Sequence, residues 1–433
     1  MKALLLRVGL DKGSGGALGP INENGLFEFI CIPENKRTSI PNFYNNTYAK
    51  HSKRLLSEFV PSKTKALPMH LDPEFESFSY GEPTHPKIDQ LLKLDRGDLL
   101  VFYAGLQPSS IVDELSRVFV VGYLVVDKVT YLENLDPKEY PALRHKLGNN
   151  AHLYREEPDR ELVIVSGNKK ESRLLDKALP LSDAGLHHPF MLPDLDCGYQ
   201  GSLLRAVGHT LQDSGFDFLQ RYLSEGLSSL VTEENRLYYY TITSDTGFAP
   251  NPSSGRLTLA TCKPKIRKKA QVGDWIIGLH SVKDLDESVC FLSRVSETLT
   301  LDQYFKDSRF TNKHVDNDPN GDCIYYHDGV GFVQVLNDHH SPRDYFKDTS
   351  VDRVLICSLF WYFGKKGFSS ELTSKTLSWK IRGHRVIKDQ AIIQSIVDLI
   401  SSNHRIGIHA LPTHSKKMTC LKNINPSINR KNV

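Results

Sequence analysis

The sequence predicts an α+β protein made of two mixed β-barrel domains in tandem, each with flanking helices. Three observations support this fold class. An ordered set of strand, loop and turn features occurs twice along the 433 residues, as expected for a repeated unit. Most apolar runs are short and rich in β-branched or aromatic residues, which favours strands. A Gly-Asp step opens an apolar run in each half of the chain, which indicates a shared turn.

Both copies of the repeated pattern run in the same order. An apolar strand leads to an aspartate, a flexible loop, a second apolar segment that ends Cys-x-Pro, and later the Gly-Asp step. These residues are Asp11, Cys31 and Gly97-Asp98 in the first copy, and Asp245, Cys262 and Gly273-Asp274 in the second. We interpret the pattern as a distant tandem duplication. The alternative is two unrelated β domains that share turn chemistry.

The first predicted domain covers residues 1–235. Its strands are expected at 3–10, 26–32, 98–104, 118–129 and 161–166. Its helices are expected at 85–94, 136–147, 170–178 and 216–230, the last from apolar residues spaced by three and four. A charged step at 232–236 marks the boundary with the next domain.

The second predicted domain covers residues 236–410. Its strands are expected at 237–243, 257–261, 274–279, 289–296, 331–336 and 353–358, and its closing helix at 388–402. Residues 411–433 are polar and basic, and we expect a weakly ordered tail that adds at most nonspecific electrostatic attraction.

Composition excludes several classes of protein. The seven cysteines are scattered without a CxxC pair, which argues against a disulfide scaffold or zinc ribbon and suits a reducing cytoplasm. No apolar run approaches the roughly 20 residues of a membrane helix, so we expect a soluble cytoplasmic protein with no membrane partner. No nucleotide-binding glycine loop precedes a helix, and no HExxH or GxSxG motif occurs.

Charge is divided unevenly along the chain. Residues 1–235 carry a net charge of −6, whereas residues 236–433 carry +9. A basic second half next to an acidic first half is expected if the second half faces a polyanion. The alternative is a basic surface that binds nothing in particular.

The best candidate site lies in the second domain, in the loop 244–252 and the basic run 263–269. Phe248 offers a ring on which a base can stack, and Asp245 and Asn251 offer the acceptor and donor pattern that reads a base edge. The cations expected to hold flanking phosphates are Lys263, Lys265, Arg267, Lys268 and Lys269. The alternative is that Asp245 caps a turn, Phe248 covers the core and the basic run is a solvated face.

Other residues of the second domain extend this candidate site. Trp275, after the second Gly-Asp step, is grouped with the base-binding residues. Arg382 and His384 flank a glycine and are expected at the rim of the pocket, where they present a cation beside a titratable ring. No residue is assigned as catalytic. The titratable groups best suited to such a role are His70, Asp72 and His384.

An equivalent pocket is expected in the first domain. Its predicted residues are Asp11, Lys12, His70, Asp72, Tyr80 and Tyr103. His70, Asp72 and a nearby glutamate, Glu74 or Glu76, also suit a metal. Three such residues in one loop rarely converge without a further ligand, so we expect no metal and no cofactor. The adjacent pairs His187-His188 and His339-His340 are interpreted as polar loop residues.

Several of these segments resemble known families. The segment 6–20, His70-Leu71-Asp72-Pro73 and Gly97-Asp98 are similar to the third of the nucleotide-modification-associated domain families. The segments 245–252, 262–267, 272–278 and 360–364 and Arg382-Gly383-His384 resemble the second family of that series. Both resemblances imply a PUA-like fold, related to EVE and ASCH domains, that holds a modified or extruded base. Ser14 stands where relatives are expected to carry cysteine.

The sequence therefore predicts a nucleic-acid-binding protein that recognises a modified or extruded base in DNA or RNA, without catalysis. Extruding a base costs a few kcal/mol, which stacking and a positive groove offset. The main alternative is an enzyme that synthesises, removes or cleaves at a hypermodified base. A third interpretation is an interaction scaffold with no nucleic-acid binding.

Overall fold

The structure, a computed structural model, describes residues 1–110, 112, 115–157, 159, 161–182, 184, 203, 207–281, 285, 287–379 and 381–414. Within these residues the chain is α+β, as the sequence predicts, with several sheets and helices beside them. Residues 1–235 are called the N-terminal half below, and residues 236–433 the C-terminal half. The pair His187-His188 and residues 415–433 of the predicted tail lie outside the described residues.

The N-terminal half is built on one large sheet. Its strands are β1 Lys2–Arg7, β2 Gly19–Ile21, β3 Ser79–Glu82, β4 Leu99–Pro108, β5 Arg117–Tyr131, β6 Val163–Gly167, β7 Arg173–Pro180 and β8 His209–Gln212, and its helices are α1 Lys87–Leu91, α2 Tyr140–Lys146 and α3 Asp213–Glu225. The strand order is β3-β6-β5-β4-β1-β8, with β2 beside β4 and β7 beside β5.

The C-terminal half contains a sheet of six strands and two smaller sheets. Its strands are β9 Leu237–Ile242, β10 Leu257–Leu259, β11 Trp275–His280, β12 Val289–Arg294, β13 Glu297–Leu299, β14 Tyr325–His327, β15 Phe332–Gln334, β16 Val354–Cys357, β17 Leu359–Tyr362, β18 Arg385–Ile387 and β19 Gly407–Ile408. Its helices are α4 Pro264–Lys269, α5 Leu301–Lys306, α6 Tyr345–Thr349, α7 Glu371–Thr376 and α8 Gln390–Asn403. The sheets have the orders β18-β9-β11-β12-β17-β19, β10-β16-β13 and β14-β15.

A path of five strands occurs in both halves. In the N-terminal half it runs β8-β1-β4-β5-β7, and in the C-terminal half β18-β9-β11-β12-β17. The first strand pair is antiparallel, the second parallel and the last two antiparallel in both halves. The edge strands β8 and β18 also lead directly into α3 and α8. The halves therefore share strand order, strand direction and the position of a following helix.

The Gly-Asp step makes the same turn in each half. Gly97 and Gly273 have φ of 92° and 95°, a conformation that glycine adopts without steric cost. The Gly97 N–H donates to the carbonyl of Val126 on β5, and the Gly273 N–H donates to that of Val295 just after β12, each at 2.8 Å. Asp98 Oδ1 accepts the N–H of Lys2, the first residue of β1, at 2.9 Å. Asp274 Oδ1 accepts the N–H of Arg236, the residue before β9, at 2.8 Å. The aspartates thus fix the start of two adjacent parallel strands.

The predicted barrels are not confirmed. Among the described strands, the pairings form open paths rather than closed rings. In each half the edge strand turns into a helix whose apolar side is buried, with Phe216 and Leu219 on α3 and Ile396 and Ile400 on α8. A helix therefore packs on the sheet where a barrel would bring in another strand.

Two predicted elements differ from the structure. The predicted helix 170–178 is the strand β7, because pairing with β5 overrides the local helical preference. The predicted strand 26–32 makes only isolated bridges, at Leu26 and Phe27, and is otherwise irregular. The helices predicted over 216–230 and 388–402 are present as α3 and α8.

The two halves share one hydrophobic core. A single cluster of buried side chains contains Leu4 and Val101 from the N-terminal half and Ile277 and Ile396 from the C-terminal half. Lys366 also forms an ion pair with Glu23 across the halves, with 3.0 Å between Nζ and Oε2. The halves therefore pack as one body. Among the described helices, none has the length and apolar content to cross a lipid bilayer.

Candidate functional site

The C-terminal half contains a polar pocket at the end of β9. The cavity has a volume of about 430 Å³. Its walls come from the loop that follows β9, the turn between β10 and α4, and the segment before α6. Its lining includes Thr246, Phe248, Cys262, Lys263, His339 and His340. Asn320 and His414 also line the cavity, so residues from five separate parts of the sequence meet around one hollow.

Three of the residues in and behind this pocket form a line of hydrogen bonds. Cys262 Sγ lies 3.3 Å from His340 Nε2, and His340 Nδ1 lies 2.5 Å from Asp348 Oδ2. Asp348 is fully buried on α6, and its Oδ2 also accepts the hydroxyl of Tyr325 at 3.0 Å. A nucleophile, a base and an orienting carboxylate in this order are the arrangement used in nucleophilic catalysis.

The Cys262 turn is held in a strained conformation. Cys262 and Lys263 have φ of 56° and 37°, which costs roughly 1–3 kcal/mol per residue and persists only where surrounding contacts fix it. The Cys262 N–H donates to Asp348 Oδ1 at 2.8 Å, and Pro264 begins α4 directly afterwards. Asp348 thus binds both the backbone of the cysteine and the ring of the histidine.

A buried arginine connects the two ends of this line. Arg267 Nε donates to Cys262 O at 3.0 Å, and its Nη2 donates to Asp348 O at 2.5 Å. Its Nη1 donates to the carbonyls of Val351 and Arg353, each at 2.9 Å. Four of the five guanidinium N–H groups therefore hold the cysteine turn against α6 and the residues after it, and Arg267 is a positioning residue.

The protonation of His340 follows from its neighbours. Burial alone would lower the pKa of His340, but hydrogen bonds with Asp348 and Cys262 outweigh burial and raise the pKa to about 10. Burial would likewise raise the pKa of Asp348, but its hydrogen bond with His340 holds that pKa below the usual range. A charged imidazolium beside a carboxylate is thus the favoured state at neutral pH.

The shift of His340 predicts a pH dependence of stability. Because the pKa rises from 6.5 to about 10 on folding, the stabilisation is complete below about pH 6.5 and is lost as pH rises towards 10. We expect the free energy of unfolding to fall more steeply between pH 7 and 10 in the wild type than in His340→Gln. Urea unfolding at several pH values checks this. Equal pH slopes in the two proteins would contradict it.

The Cys262, His340 and Asp348 side chains are also close enough to hold a cation. However, His340 lies between the other two and uses a different ring nitrogen for each. That linear order suits proton transfer better than ligation of one ion, which needs three donors facing a common point.

Aromatic rings form one wall of the pocket. The ring of Phe248 stacks on that of His339, with centroids 4.6 Å apart and an interplanar angle of 14°, and lies 4.8 Å from the His340 ring. His339 Nε2 is hydrogen-bonded to Asn320 Oδ1 at 3.0 Å. Phe248 therefore lines the pocket as predicted, but His339 covers one of its faces.

Three predicted base-binding residues are structural instead. Asn251 is fully buried, and its side chain bonds Asn320 O and the Lys313 ammonium at 2.7 and 2.6 Å. Asp245 accepts the Tyr362 hydroxyl at 2.5 Å and the N–H of Thr413 at 3.0 Å.

Trp275 is fully buried in β11 and belongs to the shared core. Asp245 and Asn251 lie in the pocket loop with side chains bonded to other segments, whereas Trp275 lies on a strand that contributes no residue to the pocket lining.

The predicted phosphate-binding residues divide into three groups. Lys263 lines the pocket with its Nζ 4.2 Å above the Tyr240 ring, and burial lowers its pKa. Lys265, Lys268 and Lys269 are exposed on α4. Arg267 is buried by its carbonyl acceptors, so it is not available to a phosphate.

The predicted rim residues lie beside the basic helix rather than in the pocket lining. Arg382 is exposed. Burial and then the charges of Lys269, Lys265 and Lys263 lower the pKa of His384, which places its ring near that basic run. His384 therefore belongs to a positive surface next to the pocket.

The N-terminal half has its own polar pocket, at the end of β1. The cavity has a volume of about 540 Å³, and its lining includes the predicted residues Asp11, His70, Asp72 and Tyr80. It also contains Ile32, which follows Cys31 as Lys263 follows Cys262. The two pockets thus occupy equivalent places relative to the repeated sheet paths.

Two predicted residues do not line this pocket. Lys12 is exposed outside the lining. Tyr103 is fully buried on β4, because strand pairing on both sides places it inside the core. Cys31, the counterpart of Cys262, is also buried, and desolvation raises its pKa to about 12.

The fold and pockets define a class: a protein of two α+β halves with a repeated strand path and a polar pocket at the same end of each path. Residues 2–195 match the family model described as Nucleotide modification associated domain 3. Residues 234–419 match the model described as Nucleotide modification associated domain 2. The two matches lie in tandem, in the order that the sequence predicts, and these domain types suggest a role tied to nucleotide modification. No curated protein matches the chain, and no solved structure matches it.

Sequence reasoning missed the line from Cys262 to Asp348. Cys262 was visible as part of the repeated Cys-x-Pro pattern, and His340 as one of an adjacent pair. Nothing in the spacing connects these residues with Asp348, which lies on a short helix in a different segment. Only the tertiary fold brings them together.

Proposed function

We propose that the C-terminal half is a cysteine-dependent enzyme that acts on a nucleobase in DNA or RNA. The observation that carries this proposal is the Cys262–His340–Asp348 line, with its thiol opening into a pocket walled by Phe248 and His339. The match to nucleotide-modification domains supports a base as the substrate class. The sequence predicts such an enzyme as the main alternative to a base-binding protein, but it does not identify Cys262 as the nucleophile.

The geometry supports a covalent mechanism. Cys262 and His340 share one proton, and Asp348 favours its position on the ring, so that the sulfur attacks as a thiolate. A C–S bond forms at an electrophilic carbon of the base. The displaced π electron pair moves to the adjacent ring atom or oxygen, which receives the proton from His340 Nε2. The proton then returns to His340, and the adduct collapses with loss of a substituent from that carbon, which leaves with the proton that His340 carries. A water molecule gives a proton to His340 and adds to the same carbon, and the C–S bond breaks. The base is released with oxygen in place of the substituent, and Cys262 is restored.

Charge near the pocket supports a polyanionic substrate. Lys263 lines the pocket, and Lys265, Lys268 and Lys269 are exposed on the neighbouring helix. Phosphate contacts of this kind position a nucleic acid without reading its sequence. The pocket would then receive an extruded base while the lysines of α4 hold the sugar-phosphate backbone. We propose that the protein acts in the cytoplasm.

We also propose that residues 1–235 and 236–410 are two domains of common, PUA-like origin. The repeated five-strand path and the twice-used Gly-Asp turn support a common origin. The equivalent placement of the two pockets supports it as well.

Incubation with oligonucleotides that carry modified bases, followed by mass spectrometry of the nucleosides, tests the proposed function. We expect the wild type to change the mass of one nucleoside and His340→Gln to leave all masses unchanged, because the ring supplies the proton. A fluorescence titration of the same oligonucleotides with the same two proteins separates binding from chemistry.

The second candidate is a non-catalytic reader of a modified base, favoured by the stacked rings of Phe248 and His339. It predicts tight binding by both proteins with no change in any nucleoside. That outcome would replace the enzymatic proposal, and absence of both binding and chemistry would remove both candidates.

A further inference from the structure

The pocket of the N-terminal half contains a second group of reactive side chains. His70, Asp72 and His152 each offer one donor atom, and these atoms all lie within 4.8 Å of one another. All three residues are buried, with His152 only 4% exposed. His70 and Asp72 come from one loop, whereas His152 comes from a short 3-10 turn at Ala151–Tyr154.

Each histidine has one ring nitrogen held by a carboxylate. His70 Nδ1 lies 2.7 Å from Glu34 Oε2, and His152 Nδ1 lies 2.8 Å from Asp159 Oδ2. Such carboxylate–histidine pairs set the orientation and tautomer of metal-binding histidines. In both rings Nε2 is the nitrogen that these carboxylates do not hold, and in His152 it faces Asp72.

An arginine holds the two supporting carboxylates together. Arg155 Nη2 lies 2.9 Å from Glu34 Oε2, and Arg155 Nη1 lies 2.7 Å from Asp159 Oδ2. The Lys36 ammonium adds a contact of 2.6 Å to Asp159. This outer layer contains two negative and two positive groups, so its formal charge is balanced.

Asp72 supplies the remaining negative charge. Its Oδ1 accepts the N–H of Gly81 at 2.8 Å and the Asn150 amide at 3.3 Å, whereas Oδ2 faces His152 Nε2 at 3.6 Å. Among the ion pairs of the described residues, Asp72 is paired with His152 and with no lysine or arginine. A metal ion bound between these donors would take the place of the proton on His152 Nε2 that faces Asp72.

The donor set leaves one side open. Its residues line a cavity of about 540 Å³ that extends to Asp11 and Tyr80. Three ligands on one face with space for water or substrate on the other are typical of a catalytic rather than a structural metal site. Two histidines and one carboxylate with open positions are typical of non-haem iron(II).

We propose that His70, Asp72 and His152 bind one divalent first-row transition-metal ion, of the iron(II) class, at the floor of the N-terminal pocket. The proposal does not depend on the cysteine chemistry of the C-terminal half. It replaces the expectation that this loop binds no metal, because the ligand that completes the set lies eighty positions from Asp72 in the sequence.

Titration of the chelator-treated full chain with cobalt(II) tests the site. Cobalt(II) is stable in air and reports ligation through its visible absorption. The titration uses the Cys262→Ala protein, which removes the thiolate of the other donor set. We expect uptake of one ion per chain, with at least a 100-fold loss of affinity in Asp72→Asn and in His152→Gln.

Two further variants separate ligation from general effects. Glu34→Gln, which removes the carboxylate that supports His70 and pairs with Arg155, should weaken affinity by roughly 10–100-fold. His85→Gln changes a half-exposed histidine of the same half and should leave affinity unchanged. Uptake that is equal in all variants, or no uptake at all, would overturn the proposal.

Thermal unfolding guards against variants that fail to fold. Because a ligand that binds only the native state stabilises it, cobalt(II) should raise the unfolding midpoint of the parent protein. A folded Asp72→Asn protein should show no such rise. A midpoint that does not move in the parent protein would also argue against the site.

Discussion

Replacing Cys262 with alanine is expected to lower turnover of the nucleotide substrate by on the order of 10⁴-fold or more, because removal of a nucleophile from a catalytic triad has effects of this size. Reaction with iodoacetamide measures the same group without a known substrate. Among the described cysteines, Cys262 is half-buried and the others are buried, so alkylation should be fastest there. Peptide mass mapping identifies the modified residue.

His340→Gln is the matched control for this prediction. Glutamine keeps the approximate size of the ring but cannot take the thiol proton, so alkylation of Cys262 should slow while the buried cysteines remain unreactive. An alkylation rate that is the same in the wild type and in His340→Gln would show that the histidine does not activate the thiol.

Replacing Arg267 with methionine is expected to destabilise the protein by about 3 kcal/mol or more, because several buried carbonyls each lose a partner at a cost of about 1–3 kcal/mol. The carbonyls concerned belong to Cys262, Asp348, Val351 and Arg353. The change should also release the Cys262 turn from α6. Urea unfolding gives the free energy, and the alkylation rate reports the turn.

Lys268→Met is the matched control, because it removes a positive charge from the adjacent, exposed position of the same helix. Its effect on stability should stay within about 0.5 kcal/mol. A similar loss in both variants would mean that charge on α4, rather than the carbonyl contacts of Arg267, is what matters. No loss in either would contradict the positioning role.

The order of the elements could largely be predicted from the sequence. The repeated Gly-Asp step is a local signal, since its glycine has a positive φ and the second oxygen of its aspartate accepts an N–H from three residues earlier, Asp95 or Gln271. The amphipathic helices α3 and α8 are also local signals. Barrel closure was not predictable in this way, because it depends on whether a helix or another strand covers the edge of a sheet.

The candidate sites were predicted only in part. The loop of Phe248 and the loop of His70 and Asp72 both line pockets. These two loops could be predicted because their aromatic and titratable residues are adjacent in the sequence. Asn251 and Arg267 are buried rather than in a pocket lining, and the sequence does not show this, because a polar side chain that faces solvent and one that binds buried carbonyls look alike in sequence. The sequence does not indicate His152 and Asp348, because Asp72 and Cys262, which they approach in the fold, are distant along the chain.

The hydrophobic core that the two halves share keeps their two pockets in one folded unit. Since apolar side chains of both halves pack in one cluster, separating the halves would expose a large apolar surface to water. A protease cut at the boundary 232–236 should therefore leave the two halves packed together. Each folded molecule of this protein therefore contains both pockets, one in each half.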